Sequence, residues 1–172
     1  MHPRSDLIPT DYDRKYPAHL GRLIANLSAL DFNLRVALYH MDTPRELRRK
    51  RGWLISEMKV GEEIEKSWMT DDCYLSDLIL TYNERQAADG LPLIDAGIRD
   101  LRNAMAHGII IAGSNASPAA TCVKFARPKK GSLVTTVEAK YQMSFEWIAE
   151  QTRRVLVAAE AVNKRLHELA NN

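Results

Sequence analysis

Two long apolar stripes, one near each end of the chain, constrain its fold more than any other feature of the sequence. The first runs from about Pro17 to Met41 and the second from about Phe145 to Leu169, both with spacings of three and four residues. The first stripe contains Leu20, Ile24, Leu27, Asp31, Leu34, Leu38 and Met41. Such spacing is typical of amphipathic helices that pack along a common seam. Two such helices predict an up-and-down helical bundle.

The sequence between the two stripes predicts shorter helices. Residues 53–64 carry a weaker helical pattern. Asp71 and Asp72 are suited to cap a further helix that would run to about residue 88. Pro92 is placed to open another helix, which would end at Gly108. We therefore expect four to five helices in all.

After Gly108 the apolar pattern changes from a helical to an extended period. The runs at 109–111, 121–125 and 133–141 are β-branched or alternating, and turn-rich segments separate them. They predict a β-hairpin or three-stranded flap before the last helix, which Ser144 is placed to cap. We expect one mainly α-helical domain over residues 1–172, with an irregular arm at 1–14 and a β-hairpin insertion at 109–141.

The composition narrows the functional class only slightly. A formal net charge of +2 over 172 residues argues against a globally basic nucleic-acid binder, so any polyanion contact must come from local clusters. The N-terminal sequence lacks the apolar core of a secretory signal, and no apolar run is long enough to cross a bilayer. Cys73 and Cys122 have no metal-type or redox spacing. We expect a cytoplasmic protein without membrane association, metal site or other cofactor.

Residues 99–108 are the one stretch that indicates chemistry as well as packing. On a helix, Arg99, Asn103 and His107 share one face at intervals of four residues, and Arg102 lies at the flank. The opposite, apolar face consists of Ile94, Ile98, Leu101 and Met105. Gly108 is a natural residue to follow a helix end, which places His107 in the last turn, where the helix dipole favours imidazolium. A guanidinium, an amide and a titratable ring at one helix end could hold a phosphate.

The spacing of Arg102 and His107 is not distinctive by itself. Arg14 and His19 have the same spacing but span Pro17, and Arg35 and His40 lie in mid-helix without the following amide or glycine. The context is what separates Arg102 and His107 from these two pairs.

The segment Leu-Arg-Asn-x-x-Ala-His-Gly, at the end of a helix in a small α-helical domain, resembles the HEPN superfamily. Members are dimeric helical bundles with an Arg-x4–6-His motif, often with Asn after the Arg. Many are metal-independent endoribonucleases of toxin–antitoxin and defence systems, whereas others bind nucleotides or are inactive. The resemblance maps the motif onto Arg102, Asn103 and His107 as catalytic residues, and it implies a homodimer, an RNA or nucleotide ligand and, for a toxin, an antitoxin protein.

The chemistry of these side chains is compatible with that resemblance. RNA cleavage through the 2′-hydroxyl needs a proton donor or acceptor near pH 7, a role for His107, and a cation for the phosphorane oxygens, a role for Arg102. Asn103 could orient the imidazole or contact phosphate. On one helix Arg102 and His107 point about 140° apart, so we expect a two-fold dimer to build a composite site.

Each of these residues also has a structural interpretation. His107 could be a solvent-facing residue that the helix dipole alone favours at this position, and Arg102 could form an ion pair with Asp95 or with a neighbouring helix. Asp31, the polar member of the first stripe, could orient Arg102 or Arg99, and Asp31 and Arg99 are the candidate substrate-binding residues. Asp31 could equally form a buried ion pair or fix the register of a dimer.

The sequence leaves the roles of the basic runs and of the tryptophans undecided, and it allows two alternative functions. The basic runs at 45–51 and 127–130 could contact RNA or be merely solvated, and the three tryptophans suit a core or an interface. The motif could belong to a non-catalytic module that binds nucleotide, RNA or a protein, or to a purely structural helical dimer.

Overall fold

The computed structural model describes residues 11–46, 59–61, 63, 66–111, 119–128 and 130–171. Within these ranges the chain is mainly helical, with a three-stranded antiparallel sheet before the last helix, as the sequence predicts. The helices are α1 (Asp11–Asp42), α2 (Leu75–Ala88), α3 (Ile98–His107) and α4 (Phe145–Asn171). The strands are β1 (Ile109–Ile111), β2 (Ala120–Phe125) and β3 (Val137–Met143). The helix predicted over residues 53–64 falls largely outside the described residues.

The two long helices, α1 and α4, pack against each other and form the centre of the core. Their fully buried side chains include Leu23, Leu30, Leu34, Ile148 and Val155. The seam of α1 is therefore rotated from the predicted stripe: Ile24 is 45% exposed and Asp31 is half-buried. Ile24 and Asp31 instead line a cleft beside the core. None of the described helices is both long and apolar enough to span a bilayer.

Helix α1 begins at Asp11, six residues before the predicted start, and Pro17 lies inside it. The irregular arm predicted for residues 1–14 is thus wrong for its last four residues. A proline inside a helix removes one backbone hydrogen bond. Packing offsets this loss, because the rings of Tyr16 and His19 both make edge-on contacts with Phe145 of α4, at centroid distances of 5.9 and 5.3 Å.

The predicted starts of α2 and α3 are both wrong. No side chain caps α2, which begins three residues after Asp72. Helix α3 begins at Ile98 rather than near Pro92, because the preceding segment is held by other contacts. The Asn83 side chain accepts a hydrogen bond from the Ile94 amide at 3.0 Å and donates one to the Ile94 carbonyl at 2.9 Å. These two bonds keep residue 94 out of a helix.

The sheet has the order β1-β2-β3 and lies against the ends of α3 and α4. Cys122, Ala120 and Met143 face the core, and both neighbours of β2 run antiparallel to it. The Ser144 hydroxyl accepts a hydrogen bond from the Trp147 amide at 3.2 Å, so this residue caps α4 as predicted. The sheet is thereby fixed between the motif helix α3 and the last helix.

Candidate functional site

Helix α3 places the motif side chains on its solvent side. Ile98, Leu101 and Ala104 are buried and fix the rotation of this short helix. Arg102 and Asn103 are then half-buried, and His107 is exposed at the last residue of the helix. The predicted apolar face is confirmed for Ile98 and Leu101, whereas Met105 is half-buried beside the cleft and Ile94 lies before the helix.

A cleft of about 430 Å³ lies beside α3 and is open to solvent. Arg102 is one of its lining residues, and α1 contributes the opposite wall. The complete lining is Ile24, Leu27, Ser28, Asp31, Arg35, Leu75, Arg102, Met105 and Ala106. His107 is not among these residues. Within one copy of the chain, the arginine and the histidine of the motif therefore do not share this cleft.

Asp31 and Arg35 form an ion pair in the wall of the cleft, with Nε and Oδ2 2.7 Å apart. Arg35 also donates to the backbone carbonyls of Trp68, Asp71 and Cys73 at 3.0, 2.6 and 2.7 Å. Partial burial disfavours the charged form of the Arg35 guanidinium and by itself would lower its pKa. The hydrogen bond and charge of the Asp31 carboxylate outweigh this effect, so the pKa of Arg35 is raised. The pair ties residues 68–73 to α1. The structural interpretation of Asp31 is the one that the geometry supports.

Arg102 has no hydrogen-bond or ion-pair partner among the residues that the structure describes. The expected alternative, an ion pair with Asp95, is absent because Arg154 of α4 occupies that carboxylate, with Nε 3.0 Å from Oδ2. A half-buried guanidinium that pairs with no carboxylate keeps its N–H donors available to bind an anion from outside the protein. This feature makes the cleft a candidate anion site.

Asn103 and His107 are also without hydrogen-bond partners in the described part of the chain. Arg99, by contrast, pairs with the neighbouring Asp100, its Nε 3.1 Å from the carboxylate. Because this pair is exposed, it constrains Arg99 only weakly. The structure brings Arg102, Arg35 and Asp31 to one cleft and leaves Arg99 outside its lining.

Gly108 determines how the motif helix joins the sheet. Its backbone is extended (φ −78°, ψ 155°), so the left-handed turn typical of a glycine after a helix is not used here. The glycine is needed for space instead: a Cβ would lie 2.5 Å from the Cys122 Sγ and closer still to the Ala104 carbonyl oxygen. This close contact between Gly108 and Cys122 fixes the end of α3, which carries His107, against strand β2.

Cys73 and Cys122 are free thiols. Burial raises the pKa of both Cys73 and Cys122, which keeps them protonated near neutral pH. The described residues contain no group of three or more His, Cys, Asp or Glu side chains placed to hold a metal ion.

The basic runs and the tryptophans are the remaining candidate groups. Most of the basic run at 45–51 falls outside the described residues, whereas Arg127 and Lys130 are exposed near the tip of the β2–β3 hairpin. Trp68 donates its indole N–H to Asp42, and Trp147 packs on Tyr141. Both tryptophans are thus structural, while Trp53 is not described.

Sequence reasoning missed Arg35 as part of the cleft. The i, i+4 spacing of Asp31 and Arg35 within the first helix was the available signal for their ion pair. Comparison of the chain with protein-family models, with curated proteins and with solved structures gives no match.

Proposed function

We propose that this protein is a HEPN-type endoribonuclease that cleaves RNA without a metal ion, at a site built by two copies of the chain. The observation that supports this proposal best is the Arg102 guanidinium, which lines an open cleft and pairs with none of the residues that the structure describes. Arg102 has Asp95 nearby in sequence, but Arg154 has taken that partner.

The proposed reaction is attack of the RNA 2′-hydroxyl on the adjacent phosphorus, with departure of the 5′-oxygen. His107 either takes up the 2′-hydroxyl proton while water protonates the departing 5′-oxygen, or donates a proton to that oxygen while water takes up the 2′-hydroxyl proton. Arg102 binds the non-bridging phosphate oxygens as their charge increases. Asn103, one turn before His107, orients its ring or contacts the phosphate. The products would carry 2′,3′-cyclic phosphate and 5′-hydroxyl ends.

A homodimer is part of the proposal because the two groups diverge within one copy. Arg102 lines the cleft while His107 does not, and on a helix their directions differ by about 140°. Two-fold pairing around α3 would place the histidine of one copy opposite the arginine of the other. A toxin or defence role, with an antitoxin protein as its partner, follows from the HEPN resemblance and forms part of the same proposal.

The direct test is incubation of the purified protein with labelled RNA in EDTA and identification of the product ends. We expect cleavage that Arg102→Ala and His107→Ala each reduce by at least about 100-fold, the usual effect of removing a catalytic acid–base or oxyanion group. Arg153→Ala and His167→Ala, at exposed positions on α4, are the matched controls and should cleave like the unmodified protein. Activity unchanged by the two motif substitutions would refute the catalytic assignment.

A non-catalytic binding module is the second candidate. It is favoured by the absence of His107 from the lining of the cleft, since Arg102 alone suffices to bind an anion. Calorimetry with nucleotides and RNA would then show saturable binding that Arg102→Ala abolishes and His107→Ala leaves unchanged, and no RNA would be cleaved. Loss of binding in both variants would count against this second candidate.

A further inference from the structure

The solvent-facing side of the three-stranded sheet carries a group of apolar side chains next to Thr121, Lys140 and Gln142. Cross-strand partners in a sheet project to the same face, and neighbours along a strand to opposite faces. Cys122 and Ala120 face the core, so Val123 and its partner Ile109 face outward. Phe125 and its partner Val137 extend this surface toward the hairpin tip.

Four of these apolar side chains are largely exposed, and Val123 between them is half-buried. Ile109 and Ile111 are 57% and 56% exposed, and Phe125 and Val137 are 43% and 53% exposed. We call the group Ile109, Ile111, Val123, Phe125 and Val137 the outer sheet face. A one-sided sheet normally presents polar side chains to water. A contiguous apolar face of this kind instead marks an interaction surface.

Positive charge surrounds the outer sheet face. Lys140 pairs with Val123 across the strands and therefore shares this face, while Arg127 and Lys130 are exposed near the tip of the hairpin. Residues 109–143 contain four Lys, one Arg and a single Glu, although the whole chain has a net charge of only +2. That one glutamate, Glu138, pairs with Lys124 at 3.0 Å.

The charge pattern distinguishes between three kinds of occupant. A second copy of the chain would bring like charges together across a two-fold axis, which opposes self-association through this face. Single-stranded RNA binds to platforms of stacked aromatic rings, but the outer sheet face has one aromatic ring among aliphatic side chains. A protein segment that combines apolar and acidic side chains satisfies both the apolar surface and its basic border.

We propose that the outer sheet face binds an acidic, apolar segment of another protein. Val123, Phe125 and the two isoleucines contact its apolar side chains, and Lys140 with the hairpin cations pairs with its carboxylates. The surface begins two residues after His107, so the bound segment lies next to the motif helix. The proposal concerns binding alone and does not depend on RNA cleavage.

Selection from a random-peptide display library against the full-length protein tests this inference without knowledge of the natural partner. We expect the enriched peptides to combine Asp or Glu with apolar residues and to compete with one another. Fluorescence anisotropy should show that Phe125→Ser and Lys140→Glu each weaken binding of an enriched peptide by about tenfold or more. Val157→Ser and Lys164→Glu, at exposed positions on α4, are the matched controls and should bind as the unmodified protein does.

Other outcomes would overturn the inference. One such outcome is a set of enriched peptides that lack acidic or apolar residues. Another is a loss of peptide binding in the control variants as large as that in Phe125→Ser and Lys140→Glu. Two alternative occupants have their own readouts. Dimerisation that Phe125→Ser abolishes in sedimentation experiments would assign the face to a second copy. A labelled RNA oligonucleotide that displaces the peptide, and whose binding Lys140→Glu abolishes, would assign it to RNA.

Discussion

Gly108→Ala is expected to destabilise the fold strongly, because this glycine permits the close contact between the motif helix and the sheet. The new Cβ would lie 2.5 Å from the Cys122 Sγ, about 1 Å inside the ordinary contact range that begins at 3.4 Å. Its nearest neighbour is the Ala104 backbone carbonyl oxygen in the last turn of α3, which cannot rotate away. Overpacking costs about 1–3 kcal/mol per added group, and the rigid neighbour places this case near about 3 kcal/mol.

Equilibrium unfolding in urea measures this effect, and Gly21→Ala is its matched control. Gly21 lies within α1, and a Cβ added there would meet nothing within 4 Å, so alanine should stabilise the protein by about 0.5–1 kcal/mol. Opposite signs for the two substitutions are the expected result. A free energy of unfolding for Gly108→Ala within about 0.5 kcal/mol of the unmodified protein would refute the close approach of α3 and β2.

Three further predictions concern the surroundings of the site. Arg35→Met should lower the free energy of unfolding by about 3 kcal/mol and increase hydrogen exchange in residues 68–73. The substitution removes three hydrogen bonds to backbone carbonyls and the ion pair with Asp31. Unchanged hydrogen exchange would contradict the role of Arg35 in tying residues 68–73 to α1. A hydrogen bond from Arg154 lowers the pKa of Asp95, so this carboxylate stabilises the fold at neutral pH and ceases to do so as the pH falls through its folded pKa. Urea titrations should therefore show Asp95→Asn less stable than the unmodified protein at neutral pH, with the difference shrinking below about pH 4; a difference independent of pH would argue against the pair. His107→Ala should change the free energy of unfolding by less than about 0.5 kcal/mol, because the exposed ring has no partner among the described residues; a larger loss in thermal or urea unfolding would indicate a structural role.

The long-range architecture could be predicted because it depends on strong periodic patterns. The two long stripes and the change to an extended period after Gly108 indicated the helical bundle and the sheet. Helix starts could not be predicted in the same way, since tertiary contacts decide them. Asn83 holds Ile94 outside a helix from eleven positions earlier in the sequence, and nothing local signals this contact.

In the candidate site, too, local spacing could be interpreted from the sequence, whereas tertiary contacts could not be predicted. Spacing alone predicted Arg99, Asn103 and His107 on the polar face of one helix, with Arg102 at its flank. It could not show that Arg154 would pair with Asp95 in place of Arg102, because Arg154 lies 59 residues away from Asp95 in the sequence. Likewise Asp31 could not be assigned between two roles until its partner, Arg35, was known.

Complementation between two inactive variants tests the central claim, a composite site of Arg102 and His107, most directly. Arg102→Ala and His107→Ala proteins would be unfolded together, refolded and assayed for RNA cleavage in EDTA. Random pairing makes half of the dimers mixed, and each mixed dimer regains one of its two sites, so about a quarter of the unmodified activity should return. Activity no higher than that of either variant alone, in a sample shown to contain mixed dimers, would contradict a site shared between two copies.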